Sequence, residues 1–253
     1  MVINGVKKSD VGVLFVHGIV GNTRIFRFLD DVLPAGAQCM RLTLQGHGGD
    51  ALGFSRASMR AWQTQVEEAA AEMRRRCGKL IVVAHSMGCL LTLSEAVRPN
   101  VDAYLLLNPP LRLKIRSRLV KNCLKVALGK TERDEVARAA AEAYGITLDK
   151  NLLHYYGWPA RYIELFKKMA ETRKALQASQ LQVPTEVFLS AQDEMVSPRS
   201  ADYFAAQNSC RVALLPASGH YYYAQSDREM ICQGMARIYS LFPTPPNFPV
   251  RLA

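Results

Sequence analysis

Ser86, Asp193 and His220 are the side chains of this sequence best suited to nucleophilic chemistry, if the fold brings them together. Ser86 stands in "KLIVVAHSMGCLL" (79–91), where an apolar, β-branched run gives way to a helical pattern. A serine hydroxyl is a poor nucleophile until a base takes its proton, and an imidazole held by a carboxylate is the usual base. "AHSMG" approximates G-x-S-x-G, the pattern of a strained serine turn between strand and helix. Such a turn needs small residues two positions to either side, because backbone and side chains approach closely there. Ala84 and Gly88 fill those positions. A serine before a helix is also an ordinary N-cap, so the chemical reading depends on its partners.

The chain order expected after such a serine is an acid and then a histidine. Asp193 follows the apolar run "EVFLSA" in "AQDEMVSP", and His220 follows the last apolar run in "PASGHYYY". Glu194 is the adjacent rival for the acid, and Asp102 precedes a strand, at the opposite end of a sheet. Asp193 also has a plain reading as a turn former. An oxyanion formed at a carbonyl needs donors, expected from the N–H of Met87, just after the serine, and from an early loop. "FVHGIVGN" supplies that loop: Gly18 and Gly21 let the backbone turn, and Ile19 offers the second N–H. His17 reads as a brace for this loop, His47 as an organiser of the "GHGG" turn, and His85 as a side chain facing the interior. His154 is placed where it could face a substrate.

The elements that would position these residues are six short apolar runs: "VGVLFV" (11–16), "CMRLTL" (39–44), "KLIVVA" (79–84), "AYLLLN" (103–108), "EVFLSA" (186–191) and "RVALLP" (211–216). Continuously apolar runs separated by helical patterns predict a mostly parallel, doubly wound sheet covered on both faces, an α/β fold. In such a sheet the site lies at the carboxyl ends of the strands. Met59, Trp62, Val66, Ala70, Met73 and Cys77 predict an amphipathic helix closed by Gly78. Between Pro109 and Pro184 no strand pattern occurs, but Val120–Leu128 and Ile163, Phe166 and Met169 recur at helical spacing. Residues 1–108 and 184–253 therefore read as one core, with 109–183 as an inserted helical cap and Pro184 stopping its last helix. The proline-rich end, 242–253, reads as extended.

Composition narrows the class. Apolar residues make up 49% and charged ones 21%, with no uncharged apolar run long enough to cross a bilayer. "MVINGVKKSD" lacks a signal-peptide pattern, so the expectation is a cytoplasmic protein. The six cysteines form neither a CxxC pair nor a His/Cys cluster, so no metal, cofactor or disulfide framework is expected. The net charge of +10 is concentrated between Arg112 and Lys130, a local feature that argues against nucleic acid as a partner. That run has two readings: a surface that steers anionic substrates or contacts an anionic membrane, or a solvated cap face.

Taken together, "VLFVHGIVGN", "LTLQGHGGD", "VVAHSMGCLL", "SAQDEMVSP" and "ASGHYYY" resemble the α/β-hydrolase superfamily, within it the carboxylesterase and monoacylglycerol lipase-like serine hydrolases. The likeness spans nearly the whole chain except about 109–183. Ala84 and Gln45 depart from the family's Gly and Pro. The resemblance implies an α/β-hydrolase fold, a Ser86–His220–Asp193 triad and a small ester as substrate, lipid-like esters included. Thioesterase, peptidase and C–C hydrolase activities use the same apparatus, and a non-catalytic ligand-binding protein of this fold is the reading from another class. Tyr155, Tyr156, Trp158 and Phe166 read either as an acyl-chain pocket or as cap core.

Overall fold

The computed structural model describes residues 9–33, 36–114 and 134–242. All six apolar runs form strands, to within two residues at each end: β1 Ser9–Val16, β2 Gln38–Leu42, β3 Cys77–His85, β4 Ala103–Leu107, β5 Thr185–Ser190 and β6 Cys210–Leu215. They make one parallel sheet in the order β2-β1-β3-β4-β5-β6. After β1 the chain builds β2 on one side and then returns to lay β3 on the other. This reversal puts the loops after β1 and β3 side by side, the position where open α/β sheets hold their ligands.

The continuous apolarity of the central strands follows from burial on both faces. Along β3, Leu80, Val82 and Ala84 point into one apolar cluster while Ile81 and Val83 point into the other. The first cluster is covered by α1 Ala51–Arg56, α2 Met59–Arg76 and α3 Met87–Thr92, the second by the 3-10 segment Thr23–Val32 and by the last helix. Trp62 of α2 is fully buried, and its indole N–H donates to Gln45 O at 2.7 Å, so the helix also fixes the turn after β2.

Between β4 and β5 the described residues hold α4 Glu135–Ala143, a 3-10 turn Leu152–Tyr155 and α5 Trp158–Ala178, and no strand. Gly145 N–H donates to Val20 O at 2.7 Å and Gly48 N–H to Gly145 O, so the stretch after α4 lies on the loops that follow β1 and β2. Leu165, Met169 and Leu176 of α5 join the apolar cluster of α2 and α3. The short helix α6 Asp202–Ala205 and the longer α7 Gln225–Ser240 complete the α-helices of the described chain.

Two local expectations need correction. Helix α2 is not closed by Gly78: it ends at Arg76, and Cys77 and Gly78 already belong to β3. Pro184 does not stop α5, which ends at Ala178; Pro184 instead leads into β5, its carbonyl accepting Tyr104 N–H at 3.0 Å. The buried stripe of α5 runs through Leu165, Met169, Thr172 and Leu176, leaving Ile163 and Phe166 exposed. The stripe Val120–Leu128 lies outside the described residues, as do most of the basic run 112–130 and the tail from 243.

His17 joins the first two loops. Its Nδ1–H donates to Gly18 O at 2.8 Å, and its Nε2 accepts Leu44 N–H at 3.1 Å, so the neutral ring satisfies both. Burial lowers its pKa from 6.5 to about 4. The unfolded chain therefore takes up this proton more readily, so stability from His17 is complete above pH 6.5 and is lost as pH falls toward 4. Between pH 7 and pH 5 the loss from this residue is about 2 kcal/mol. Urea unfolding of His17→Gln should show a pH dependence over that interval that is shallower by about this amount. Equal slopes in variant and wild type would contradict the assignment.

Candidate active site

The turn from β3 into α3 holds Ser86 at φ 51° and ψ −122°, a conformation that non-glycine residues rarely adopt. The surroundings force it. Ser86 N–H donates to Leu107 O on β4 at 2.9 Å, and Cys89 N–H donates to Ser86 O at 2.9 Å. A Cβ on Gly88 would lie 2.2 Å from Val16 O and 2.8 Å from His17 O, so the first turn of α3 rests directly on the end of β1. Ala84 is accommodated with no exposure, paired between Val16 and Leu106.

His220 and Asp193 are brought into direct contact. Nδ1 of His220 donates to Asp193 Oδ2 at 2.7 Å, and both residues are nearly inaccessible. The other carboxylate oxygen, Oδ1, accepts Met195 N–H and Val196 N–H, each at 2.7 Å. A carboxylate can only accept, so the proton sits on Nδ1 and leaves the Nε2 lone pair free. The residue before Ser86 links the serine turn to the histidine loop: the His85 ring lies 4.8 Å from that of His220, and His85 Nε2–H donates to His220 O at 3.0 Å. Burial first, and then the nearness of His220, hold the His85 pKa well below its ordinary value, so it stays a neutral brace facing the interior.

The loop after β1 meets the serine turn. A Cβ on Gly18 would lie 2.8 Å from Ser86 Cβ. Ile19 follows, buried, with Val20 at φ 51° beyond it. Met87 opens α3, where a first-turn N–H has no acceptor within its own helix. Both backbone groups named as oxyanion donors thus belong to segments that border Ser86.

Asn108 is a site residue that the sequence reading missed. It is fully buried at φ 48°; its Oδ1 accepts Ser190 N–H at 2.7 Å, and its Nδ2 donates to Tyr223 Oη at 3.2 Å and Gly219 O at 3.4 Å. One amide therefore ties the ends of β4 and β5 to the histidine loop. The signal available was an asparagine closing an apolar strand, a residue type that tolerates positive φ. Asp227 holds the loop from below, accepting Ser218 Oγ–H at 2.6 Å and Ala217 N–H at 2.9 Å.

The remaining candidates fall elsewhere. His47 packs 5.2 Å from Trp62 and 4.7 Å from His17, and burial lowers its pKa to about 3. His154 is held by Asp149 at 2.8 Å and by Asn151 at 3.0 Å on the partly exposed 3-10 turn. Asp102 pairs with Arg74 and Lys79 at the opposite end of the sheet. Trp158 packs 4.9 Å from Phe54 and 5.0 Å from Tyr155, whereas Tyr156 and Phe166 are exposed. Among the described residues no group of three His, Cys, Asp or Glu could hold a metal ion, and no helix is long and apolar enough to cross a membrane.

A model of the alpha/beta hydrolase family matches residues 13–231. The chain belongs to that family. No curated protein sequence matches this alpha/beta hydrolase, but solved structures share its fold. A structure from work on LipS and LipT, two metagenome-derived lipolytic enzymes, aligns with TM-score 0.69 and 19% identity over 93% of this chain and 96% of the other. A soluble variant of monoglyceride lipase from Saccharomyces cerevisiae, bound to a substrate analog, aligns with TM-score 0.66 and 16% identity over 95% and 90%. An N-formylmaleamic acid deformylase from Pseudomonas putida aligns with TM-score 0.59 and 16% identity over 91% and 97%. At these identities the likeness is one of fold.

The asymmetry of the serine turn is open to test. Gly88→Ala should destabilise this alpha/beta hydrolase by about 1–3 kcal/mol, because the new methyl group overlaps the backbone of β1. Ala84→Gly should cost about 1 kcal/mol or less, the ordinary penalty of glycine in a strand. Denaturant midpoints that fall equally in both variants, or further in Ala84→Gly, would contradict this account of the turn.

Proposed function

We propose that this alpha/beta hydrolase cleaves carboxylic esters through an acyl-enzyme on Ser86. The observation that carries the reading is the buried His220–Asp193 hydrogen bond, which leaves Nε2 free as a base, together with the strained turn of Ser86, whose neighbour His85 packs against the His220 ring. His220 Nε2 takes the proton from Ser86 Oγ as Oγ bonds to the carbonyl carbon. The carbonyl oxygen becomes an oxyanion, held by the N–H groups of Ile19 and Met87. His220 then gives the proton to the departing alkoxide oxygen, the ester C–O bond breaks, and an acyl group remains on Ser86. Water repeats the sequence, releases the acid and restores the serine. Asp193 keeps the imidazole in the required tautomer and offsets its charge while it is protonated.

A small, lipid-like substrate, a short- to medium-chain acyl ester or monoacylglycerol, is the class we propose. The lipolytic enzymes and monoglyceride lipase that share the fold support it, as do Leu152, Leu153 and Tyr156, exposed on the helical insertion. Esters are favoured over thioesters by those same relatives. A panel of matched esters and thioesters of varied acyl length, run beside fluorophosphonate labelling, tests the reading. Wild type should be labelled on Ser86 and turn over esters preferentially, and Ser86→Ala should lose labelling together with at least about 10⁴-fold of kcat. Labelling that persists in Ser86→Ala, or ester turnover that survives it, would contradict the proposal.

A further inference from the structure

Glu194, the neighbour of Asp193, is 4% exposed. Its Oε2 accepts the main-chain N–H of His220 at 3.0 Å, while Asp193 takes the ring Nδ1–H at 2.7 Å. Two consecutive acids thus address one histidine, one through its backbone and one through its side chain. The approach is close: a Cβ on Gly219 would lie 3.1 Å from Glu194 Oε2 and 3.3 Å from Oε1, so the residue before His220 leaves room for the carboxylate. A neutral amide would accept the same N–H, and removing a carboxylate from water is costly. In the mechanism above, His220 gains positive charge beside this carboxylate.

We propose that Glu194 is a positioning residue for His220, clamping its backbone against the end of β5 and supplying a second negative charge that stabilises the imidazolium form. The inference rests on the reading of Ser86 and His220 as nucleophile and base. The other groups against His220 are Asp193 on the acid loop, the neutral His85 ring at 4.8 Å from the serine turn, and the Tyr221 ring at 4.7 Å from its own loop. Asp227 of α7 acts on the same loop through Ser218 and Ala217 without touching His220 by hydrogen bond. It provides the control for loosening of the loop alone.

The experiment follows ester kcat, KM and the rate of fluorophosphonate labelling of Ser86 against pH in wild type, Glu194→Gln and Asp227→Asn. Glutamine keeps the acceptor and removes the charge. In Glu194→Gln the acid limb of both kcat/KM and labelling should move to lower pH by about half a unit or more, because the imidazolium has lost a neighbouring anion. kcat should fall about tenfold with KM within about twofold. Asp227→Asn should lower the melting temperature and leave the acid limb in place. An unmoved acid limb and unchanged kcat in Glu194→Gln, or an equal displacement in Asp227→Asn, would overturn the role. If Glu194→Gln fails to fold, Glu194→Asp, which keeps the charge but shortens its reach, should lower kcat at constant KM; wild-type kcat there would overturn it equally. A wild type that is not labelled sinks the reading of the site itself, whereas a labelled wild type with an unmoved Glu194→Gln profile sinks only Glu194.

Discussion

The hydrogen bond from His220 Nδ1 to Asp193 Oδ2 joins residues 27 positions apart, from loops that follow two neighbouring strands, and nearly everything else at the site serves to hold its two ends. Asp193 is oriented because its second oxygen accepts two backbone N–H groups of its own loop. His220 is oriented because Asn108, Glu194, His85 and, through Ser218, Asp227 each grip its loop from a different direction. A buried imidazole free to turn would have no fixed tautomer and no directed lone pair. Excluding water from the pair strengthens the bond, and the bond fixes which nitrogen keeps its lone pair.

The serine side follows the same logic with backbone in place of side chains. β3 lies at the reversal of strand order, and its last residues meet β1 and β4 at once. Gly88 lets α3 settle against the carbonyls of Val16 and His17, and this contact turns the chain sharply enough to put Ser86 at positive φ. The hydrophobic strand that delivers the hydroxyl is thus also the element whose burial on both faces resists relaxation of the turn. Strain of this kind persists only where the surroundings over-determine it.

Much of this was legible in the sequence for identifiable reasons. The six strands were visible because a parallel sheet buried on both faces requires unbroken apolar runs, as in Leu80–Ala84. The placement of Ser86 on the turn after β3, and of Asp193 and His220 on the loops after β5 and β6, was legible because chain order and strand ends carry topology. The end of α2 was misplaced because a glycine after a helix reads as a cap, whereas here Cys77 and Gly78 pair with β1 as the start of β3. Ile163, Phe166 and Met169 marked a helix where α5 lies, but helical spacing does not fix which stripe is covered: the side packed with α2 and α3 takes Leu165, Met169 and Leu176. Asn108 escaped, and Glu194 was weighed only as a rival acid, because their bonds run to residues more than two dozen positions away, which no local pattern encodes.

The most direct measurement is a crystal structure of the protein after reaction with a fluorophosphonate. The account predicts phosphorus bonded to Ser86 Oγ, one phosphonyl oxygen within about 3 Å of both the Ile19 and Met87 nitrogens, and His220 Nε2 facing the serine oxygen with its bond to Asp193 intact. A phosphonyl group on another residue, or on Ser86 with its oxygen directed away from those two N–H groups, would contradict it.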